Sequence, residues 1–200
     1  MEKLNQEFYQ EEDVLQISKD LLGKTLYTQF NGKLTSGVIV ETEAYAGVDD
    51  MASHAYGGRR TKRTETMYAK AGTAYVYLCY GIHHLFNVVT NIEGIPHAVL
   101  IRAIEPLEGI DIMLQRRKMS KLLPNLTAGP GILSQALGIS IQYSGISLLG
   151  NKIWINDIHP SGGYMDIISS PRVGCQNAGK DANNPWRFRI KGNKWVSPAI

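Results

Sequence analysis

The 200-residue sequence predicts a single α+β domain, in which helices flank a mostly antiparallel, curved β-sheet that carries a protruding β-hairpin. Three observations predict this class. Asn31-Gly32, a strong hairpin signal, separates two apolar runs. An aromatic and β-branched stretch over residues 73–90 is interrupted by Tyr80-Gly81, which indicates a strand, a tight bend and a second strand. The sequence also lacks repeats, low-complexity tracts and clear linkers, so we expect one domain over residues 1–200.

The first half of the chain begins with a helix, because Val14, Ile17 and Leu21 recur at helical spacing and Gly23 follows as a stop. The segment over 47–72 is polar, basic and rich in glycine, which predicts a long functional loop with one helical turn. The predicted elements are a helix over 12–22, strands over 25–30 and 35–45, the loop over 47–72, the strand pair within 73–90, and a strand over 97–104.

The second half contains two predicted helices. Leu107, Ile110 and Leu114 share one helical face, and the basic run Arg116-Arg117-Lys118 suits the negative end of the helix dipole. Gly129-Pro130-Gly131 opens a shorter helix that Gly138 closes. The predicted elements are helices over Leu107–Met119 and Ile132–Leu137, and strands over 147–149, 152–156, 172–174 and 186–191.

Composition narrows the class of protein. The 21 Lys and Arg residues exceed the 18 Asp and Glu residues slightly, and this mild excess permits a nucleic-acid partner without requiring one. Cys79 and Cys175 lie far apart and form no CxxC pair, so we expect neither a disulfide framework nor a zinc site. The first residues show no signal-peptide pattern, and no apolar run approaches the roughly 20 residues of a membrane span. We therefore expect a cytoplasmic protein.

Two carboxylates and an aromatic ring alternate directly after the apolar run Val38-Ile39-Val40. If this run is a strand, Glu41, Glu43 and Tyr45 lie on one face of it. Glu43 is open to two interpretations: a solvated or salt-bridged strand glutamate, or a general base that activates water. Charge at the end of a buried strand is costly unless it is paired or used. A carboxylate beside an aromatic ring suits hydrolysis of a bond to a flat, aromatic leaving group.

Arg102 interrupts the otherwise apolar strand Ala98–Ile104. Buried charges are paired or functional, so Arg102 is either a paired core arginine or a side chain directed into a cleft. In both cases a carboxylate partner is expected, and Glu43 or Glu41 is the natural one.

The aromatic strand pair has a structural and a functional interpretation. Tyr77 and Asn87 could simply pack across strands, as is usual for such residues. Tyr80, however, lies at the bend, where its ring is exposed and could act as a wedge that opens a base step from the minor groove. His83 and His84 are adjacent on a strand and therefore point to opposite faces, which argues against a metal site. The basic segment Arg59–Arg63 is either a solvated loop or an arm that contacts phosphates.

Taken together, these residues resemble the alkyladenine (3-methyladenine) DNA glycosylases in their compact bacterial form. The resemblance spans about residues 5–197, and the ordered set of motifs is far more specific than any one of them. The motifs are Val40-Glu41-Thr42-Glu43-Ala44-Tyr45, Ser53-His54, Gly72-Thr73-Ala74-Tyr75-Val76-Tyr77, Tyr80-Gly81, Phe86-Asn87, Leu100-Ile101-Arg102-Ala103, Glu105-Pro106-Leu107-Glu108-Gly109, Ala128-Gly129-Pro130, Arg172-Val173-Gly174 and Trp195-Val196-Ser197.

The resemblance implies a role for each site residue. Glu43 would deprotonate the attacking water, which Arg102 and the main-chain carbonyl of Val173 would help to hold. Tyr45 would stack on one face of a flipped base and His54 with Tyr77 on the other, while Asn87 at the pocket floor would disfavour guanine. The implied sets are a base pocket of Tyr45, His54, Tyr77, Asn87 and Leu100, intercalating Tyr80 and Ile82, and DNA-backbone contacts from Gly81, Arg59, Arg60, Lys62 and Arg63.

The resemblance further implies base flipping and hydrolysis of the N-glycosidic bond of damaged purines in duplex DNA, as in base excision repair. The expected substrates are 3-methyladenine, 7-methylguanine, hypoxanthine and ethenoadenine. No lysine falls among the motif positions, so we expect an abasic product without strand cleavage. No metal, organic cofactor, membrane or obligate protein partner is implied, and we expect a monomer in the bacterial cytoplasm and nucleoid. Relative to animal members, Ile82 replaces a methionine and His83-His84 an aromatic pair.

Two other classes of protein remain open at this point. A non-catalytic nucleic-acid-binding module would share the basic loop and the exposed tyrosine, but it would not need Glu43, Arg102 and Tyr45 together. An RNA-binding accessory domain of an acyl- or formyltransferase would explain an α+β fold with basic loops. It would not explain the glutamate and the aromatic residues.

Overall fold

A single sheet organises the chain, whose computed structural model describes residues 2–157 and 165–198. Four α-helices and several 3₁₀ turns accompany the eight strands of the described part. The strands are β1 (Thr25–Phe30), β2 (Lys33–Tyr45), β3 (Ala74–Cys79), β4 (His83–Thr90), β5 (His97–Glu108), β6 (Ile153–Asn156), β7 (Ile167–Ser170) and β8 (Arg187–Ile190). The helices are α1 (Gln6–Tyr9), α2 (Val14–Asp20), α3 (Ile110–Arg117) and α4 (Pro130–Leu137).

The strands pair in the order β3-β4-β5-β2-β1-β6, and every pair of the sheet is antiparallel. The long central strand β2 has two partners on one edge. Its first half pairs with β1, and its second half, over residues 41–43, pairs with β8, which in turn pairs with β7. The curved, mostly antiparallel sheet with flanking helices confirms the predicted α+β class. It also places the acidic end of β2 between two neighbouring strands.

The helices cover one apolar surface of the sheet. Asp13 caps α2 by accepting hydrogen bonds from the backbone N–H groups of Leu15 and Gln16. Thr42 of β2 donates to the carbonyl of Ser18, which fixes α2 against the strand. The large core cluster draws on α2, α4 and strands β1 to β6. No helix in the described ranges is long and apolar enough to cross a membrane.

Local signals predicted both hairpins, and they predicted α2 and α4 to within two residues at each end. Asn31 and Gly32 have φ angles of 52° and 74°, the left-handed values that a two-residue hairpin turn requires. The strand β1 matches its predicted range, and β2 begins two residues earlier than predicted. The predicted strand–bend–strand over 73–90 appears as β3 and β4.

The helix predicted over Leu107–Met119 is wrong at its start. The strand β5 continues through Pro106 to Glu108, because Gly37 and Ser36 of β2 still pair with it there. The helix begins only after Gly109, whose φ is 68° and whose missing Cβ leaves room for the carbonyl of Leu34. Tertiary strand pairing therefore overrides the helical spacing at this point.

Other predictions in the loops also need correction. Residues 147–149 form no strand, since only Ser147 bridges to Thr73. Residues 172–174 form no strand, because Arg172 and Val173 bond to residues of other segments, and Val173 and Gly174 lie in a turn. The sequence patterns missed β7 and α1, and the loop over 47–72 contains three 3₁₀ turns where one helical turn was predicted.

Candidate active site

A cavity of about 530 Å³ opens over the face of β2, β5, β4 and β3. The strand register aligns four of its lining residues in one row: Glu43 pairs with Leu100, Leu100 with Asn87, and Asn87 with Tyr75. Directly opposed residues on antiparallel strands point to the same face. The row therefore places a carboxylate, an aliphatic side chain, an amide and a phenol side by side along the cavity floor.

An irregularity between β2 and β5 directs Arg102 into this site. The register passes from Thr42–Ile101 to Glu41–Ala103, so that Arg102 is left without a direct partner, and it shifts again at Val40. Irregularities of this kind re-aim a side chain and are common beside active sites. The guanidinium of Arg102 meets both carboxylates: its Nε donates to Glu41 Oε1 at 2.7 Å, and its NH1 lies 3.3 Å from Glu43 Oε1.

Glu43 is fully buried, and polar groups hold its carboxylate from three directions. The backbone N–H of Val173 donates to Oε1 at 2.7 Å, and the hydroxyl of Tyr45 donates to Oε2 at 3.0 Å. Arg102 supplies the opposite charge. Burial raises the pKa of Glu43 above its ordinary value, although Arg102, Val173 and Tyr45 oppose the shift. The carboxylate is thus oriented and a stronger base than an exposed glutamate.

Glu41 is also fully buried, yet its environment differs from that of Glu43. Its Oε1 accepts from Nε of Arg102, Nε of Arg187 and the hydroxyl of Ser197, at 2.7 to 2.8 Å. Its Oε2 accepts the backbone N–H of Ser197 at 2.6 Å. Both oxygens are therefore occupied by donors. Glu41 acts as a structural anion that fixes the position of Arg102 next to Glu43.

Tyr45 forms one wall of the cavity and is supported from behind by a cation. The guanidinium of Arg172 lies 4.8 Å from the ring centroid of Tyr45 and 4.9 Å from that of Trp186. Arg172 is itself held by both carboxylate oxygens of Asp50 and by the carbonyl of Ala44. Burial, followed by the nearby charge of Glu43, raises the pKa of Tyr45 well above its ordinary value, so its hydroxyl keeps its proton.

His54 and Tyr77 form a second aromatic wall. Their ring centroids are 4.6 Å apart and their planes differ by 77°. A flat base can therefore lie parallel to only one of the two rings, whereas the resemblance implied both on one face. Arg63 lies 4.8 Å over the ring of Tyr77, and its NH2 lies 3.0 Å from Nε2 of His54.

The contacts of His54 define its protonation state. Arginine is a donor only, so Nε2 accepts from Arg63 and the proton lies on Nδ1, 2.9 Å from the hydroxyl of Tyr75. Burial, together with the positive charges of Arg63 and Arg59, lowers the pKa of His54 to about 4. His54 is consequently a neutral ring at physiological pH.

The tip of the β3–β4 hairpin holds Tyr80 in a strained and exposed position. Its side chain is 92% exposed, and its φ of 50° lies in the left-handed region that bulky residues avoid. Gly81 at φ 74° completes the turn, and Ile82 beside it is also exposed. Such strain at an exposed aromatic residue is a feature of functional sites.

The basic segment divides into residues with different contacts. Arg60 binds both oxygens of Glu65 at 2.7 and 2.9 Å and lies over the ring of Tyr68, so its charge is already paired. Arg63 lies at the mouth of the cavity, as its contacts with His54 and Tyr77 show. Arg59 and Lys62 are exposed at the surface.

The sequence patterns missed several residues that complete the site. Arg187 is 2% exposed and binds Glu41, and Arg172 supports Tyr45. The sequence did contain a signal for Arg187, because this residue, like Arg102, is a charged residue within a predicted strand. The resemblance implied Val173 for its carbonyl; its backbone N–H donates to Glu43, a contact that no local pattern indicates. Within the described ranges no group of three His, Cys, Asp or Glu residues could hold a metal ion.

Comparison with known proteins places these residues in a family context. A family model described as methylpurine-DNA glycosylase matches residues 7–194. A protein of Chlamydia felis named "Putative 3-methyladenine DNA glycosylase" is 47% identical over 192 residues, which is 96% of this chain and 97% of that protein. Proteins of the same name from Clostridium acetobutylicum and Desulfitobacterium hafniense are 47% and 42% identical over 98% of this chain, covering 97% and 99% of their own.

Replacing the structural anion should destabilise the fold. Glu41→Gln leaves Arg102 and Arg187 buried without their shared countercharge. We therefore expect the free energy of unfolding to be about 3–5 kcal/mol lower than that of the wild type. Urea denaturation would measure the loss. Glu93→Gln, at an exposed position, is the matched control and should change little. A loss as small as that of the control would contradict the role of Glu41.

The neutral state of His54 can be tested by nuclear magnetic resonance. Because its pKa is lowered to about 4, the imidazole ¹⁵N shifts should show a neutral ring protonated at Nδ1 throughout pH 5–8. Arg63→Gln should raise this pKa, since it removes a neighbouring positive charge, whereas Arg60→Gln should leave it unchanged. Titration of His54 near its ordinary value of about 6.5 would refute the assignment.

Proposed function

The chain belongs to the methylpurine-DNA glycosylase family, and on that premise we propose that it is a monofunctional enzyme that removes damaged purines with a Glu43-activated water. Family membership makes it a hydrolase of N-glycosidic bonds in DNA. The proposed substrates are 3-methyladenine, 7-methylguanine, hypoxanthine and ethenoadenine in duplex DNA. We further propose that it acts as a monomer in the cytoplasm, as a step of base excision repair.

The observation that carries the mechanism is a buried carboxylate on the floor of a cavity with aromatic walls. Glu43 has a raised pKa, fixed orientation and a cationic neighbour in Arg102. In the proposed reaction, the carboxylate takes a proton from water, the water oxygen bonds to C1′ of the sugar, and the electron pair of the broken bond leaves with the base. The positive charge that develops on the sugar is stabilised by the same carboxylate.

Extrusion of the base precedes this chemistry and costs a few kcal/mol, less for a damaged base. Tyr80 at the hairpin tip is proposed to fill the gap in the duplex, with Ile82 and Gly81 beside it. The flipped purine would stack on the cavity face of Tyr45, because Arg172 covers the other face. Such stacking contributes about 1–3 kcal/mol per base and tolerates different bases, which supports a broad lesion range.

The charges around the cavity suit cationic alkylpurines. Glu43 is the anion of the cavity lining and is paired there with Arg102, and a neutral His54 adds no further repulsion against a positively charged base. Asn87 and Leu100 form the floor, where the Nδ2 group of Asn87 donates to the carbonyls of Tyr75 and Leu85. No lysine lines the described cavity, which supports hydrolysis to an abasic site without a covalent Schiff base.

The decisive experiment uses duplex oligonucleotides that carry a single hypoxanthine or ethenoadenine, together with dimethyl-sulfate-treated DNA. Alkali converts each abasic site into a strand break, and chromatography identifies the released base. We expect breaks only after alkali, with chelator present, and none with Glu43→Gln, because water then lacks its base. Glu93→Gln is the control and should match the wild type.

The pH profile extends this test. Glu43 must be ionised to accept a proton, so the rate should fall as pH decreases through its pKa, at a midpoint above the ordinary value of about 4.3. Substantial turnover by Glu43→Gln would refute the general base. Absence of product from every substrate would favour the non-catalytic binding module.

The wedge is tested separately from the chemistry. In a Glu43→Gln background, which prevents turnover, Tyr80→Ala should weaken binding to an ethenoadenine duplex by roughly tenfold and reduce the fluorescence change that reports unstacking. Tyr80→Phe should retain both, because it keeps the ring. Tyr56→Ala removes another exposed aromatic side chain and serves as the control. Equal affinity of Tyr80→Ala and the background protein would eliminate the wedge.

A further inference from the structure

A second cavity, also of about 530 Å³, is lined in part by residues 170–173, at and just after the end of β7. We call it the arginine cavity, after Arg172, Arg187 and Arg189 in its lining. The other lining residues are small, polar or aliphatic, and none of the described ones is Asp or Glu. Val173 lines both cavities, so the arginine cavity shares a wall with the candidate active site.

The three guanidinium groups differ in how their charge is balanced. Arg172 is paired with Asp50, and Arg187 with Glu41. Arg189 stands opposite Glu41 in the strand register, but in the described part of the chain its side chain makes one hydrogen bond, from NH2 to the hydroxyl of Ser170 at 3.3 Å, and no salt bridge to a carboxylate. Among the described residues of the cavity, Arg189 therefore leaves a net positive charge.

Two donors in this region also lack an acceptor. The Nε groups of Arg172 and Arg189 are buried, and neither has a hydrogen-bond partner in the described part of the protein. An unsatisfied buried donor costs about 1–3 kcal/mol, and more when it is charged. Arg187 and Arg189 alternate along β8 and so point to the same face, which concentrates the charge on one side. Such a cluster favours an anion with several acceptor atoms.

We propose that the arginine cavity binds a phosphate group, with Arg189 as its principal cation. Phosphate supplies several oxygens that match guanidinium donors in geometry and charge. The cavity is large enough for this group, and Arg189 is partly exposed, so an ion can reach it.

The phosphate can come from either of two sources. One is a backbone phosphate of the DNA strand whose nucleotide occupies the adjacent cavity, an assignment that rests on the proposed function. The other is free phosphate, which would bind whether or not the protein acts on DNA. In both cases the anion would lie beside Arg172, which supports Tyr45, and beside Val173, which orients Glu43.

Two measurements on the intact protein test the site without requiring turnover. The first is the melting temperature in inorganic phosphate, against sodium chloride of equal ionic strength. The second is the salt dependence of binding to undamaged duplex DNA. Each is made on wild type, Arg189→Gln and Lys191→Gln. The control, Lys191→Gln, removes one positive charge from the residue that follows β8; the side chain of Lys191 is 65% exposed, and its Nζ lies 3.6 Å from Asp166 Oδ2.

We expect phosphate to raise the melting temperature of wild type saturably, and Arg189→Gln to lose this response while Lys191→Gln keeps it. If DNA supplies the phosphate, Arg189→Gln should also lower the salt slope by about one, and Lys191→Gln should not. An unchanged slope with a retained phosphate response assigns the cavity to free phosphate.

Three results would overturn the proposal. They are no saturable phosphate response together with an unchanged salt slope, equal effects of the two substitutions, or full binding by a folded Arg189→Gln protein. Circular dichroism establishes that each variant is folded. Because both readouts are independent of excision, a catalytically active protein that fails them would refute the phosphate site alone. A protein that binds phosphate but excises nothing would refute only the proposed function.

Discussion

The buried carboxylate of Glu41 is the interaction on which the rest of the site depends. It lies where β2 meets both β5 and β8, and it accepts hydrogen bonds from Arg102, Arg187 and Ser197. Two buried arginines would be intolerable without a shared anion, because uncompensated charge away from water is very costly. The same carboxylate therefore joins three segments that are remote in sequence and sets the position of Arg102 beside Glu43.

Two glutamates on one strand face consequently have different chemical characters. Glu41 has donors on both oxygens and serves as a fixed countercharge. Glu43 lines the cavity, and burial raises its pKa although Arg102 opposes the shift. The aromatic walls follow the same principle, since Arg172 lies behind Tyr45 and Arg63 lies against His54. Arg172 and Arg63 hold these rings in place, and burial, together with Arg63 and Arg59, keeps His54 neutral.

Sequence patterns predicted the structure correctly where it depends only on the residues of one short segment. Asn31-Gly32 defines a hairpin by its backbone preferences, and the alternation after Val40 correctly indicates that Glu41 and Glu43 share a face. The patterns failed where a distant partner decides. A helix was predicted from Leu107, but the chain there is still paired with β2 as a strand. The strand predicted over 172–174 is absent, because Arg172 and Val173 bind Asp50 and Glu43 instead.

From the sequence alone came the α+β class, the acidic strand, the exposed aromatic bend, the expectation of a carboxylate near Arg102 and the resemblance to DNA glycosylases. Each of these depends on local periodicity, turn chemistry, the cost of burying charge or the order of motifs along the chain. Tertiary structure decided which glutamate serves which arginine, that Arg187 joins them, that His54 and Tyr77 stand nearly perpendicular, and that Arg189 lacks a carboxylate partner in the described chain. These outcomes depend on strand register and on contacts between segments more than a hundred residues apart, which no local pattern encodes.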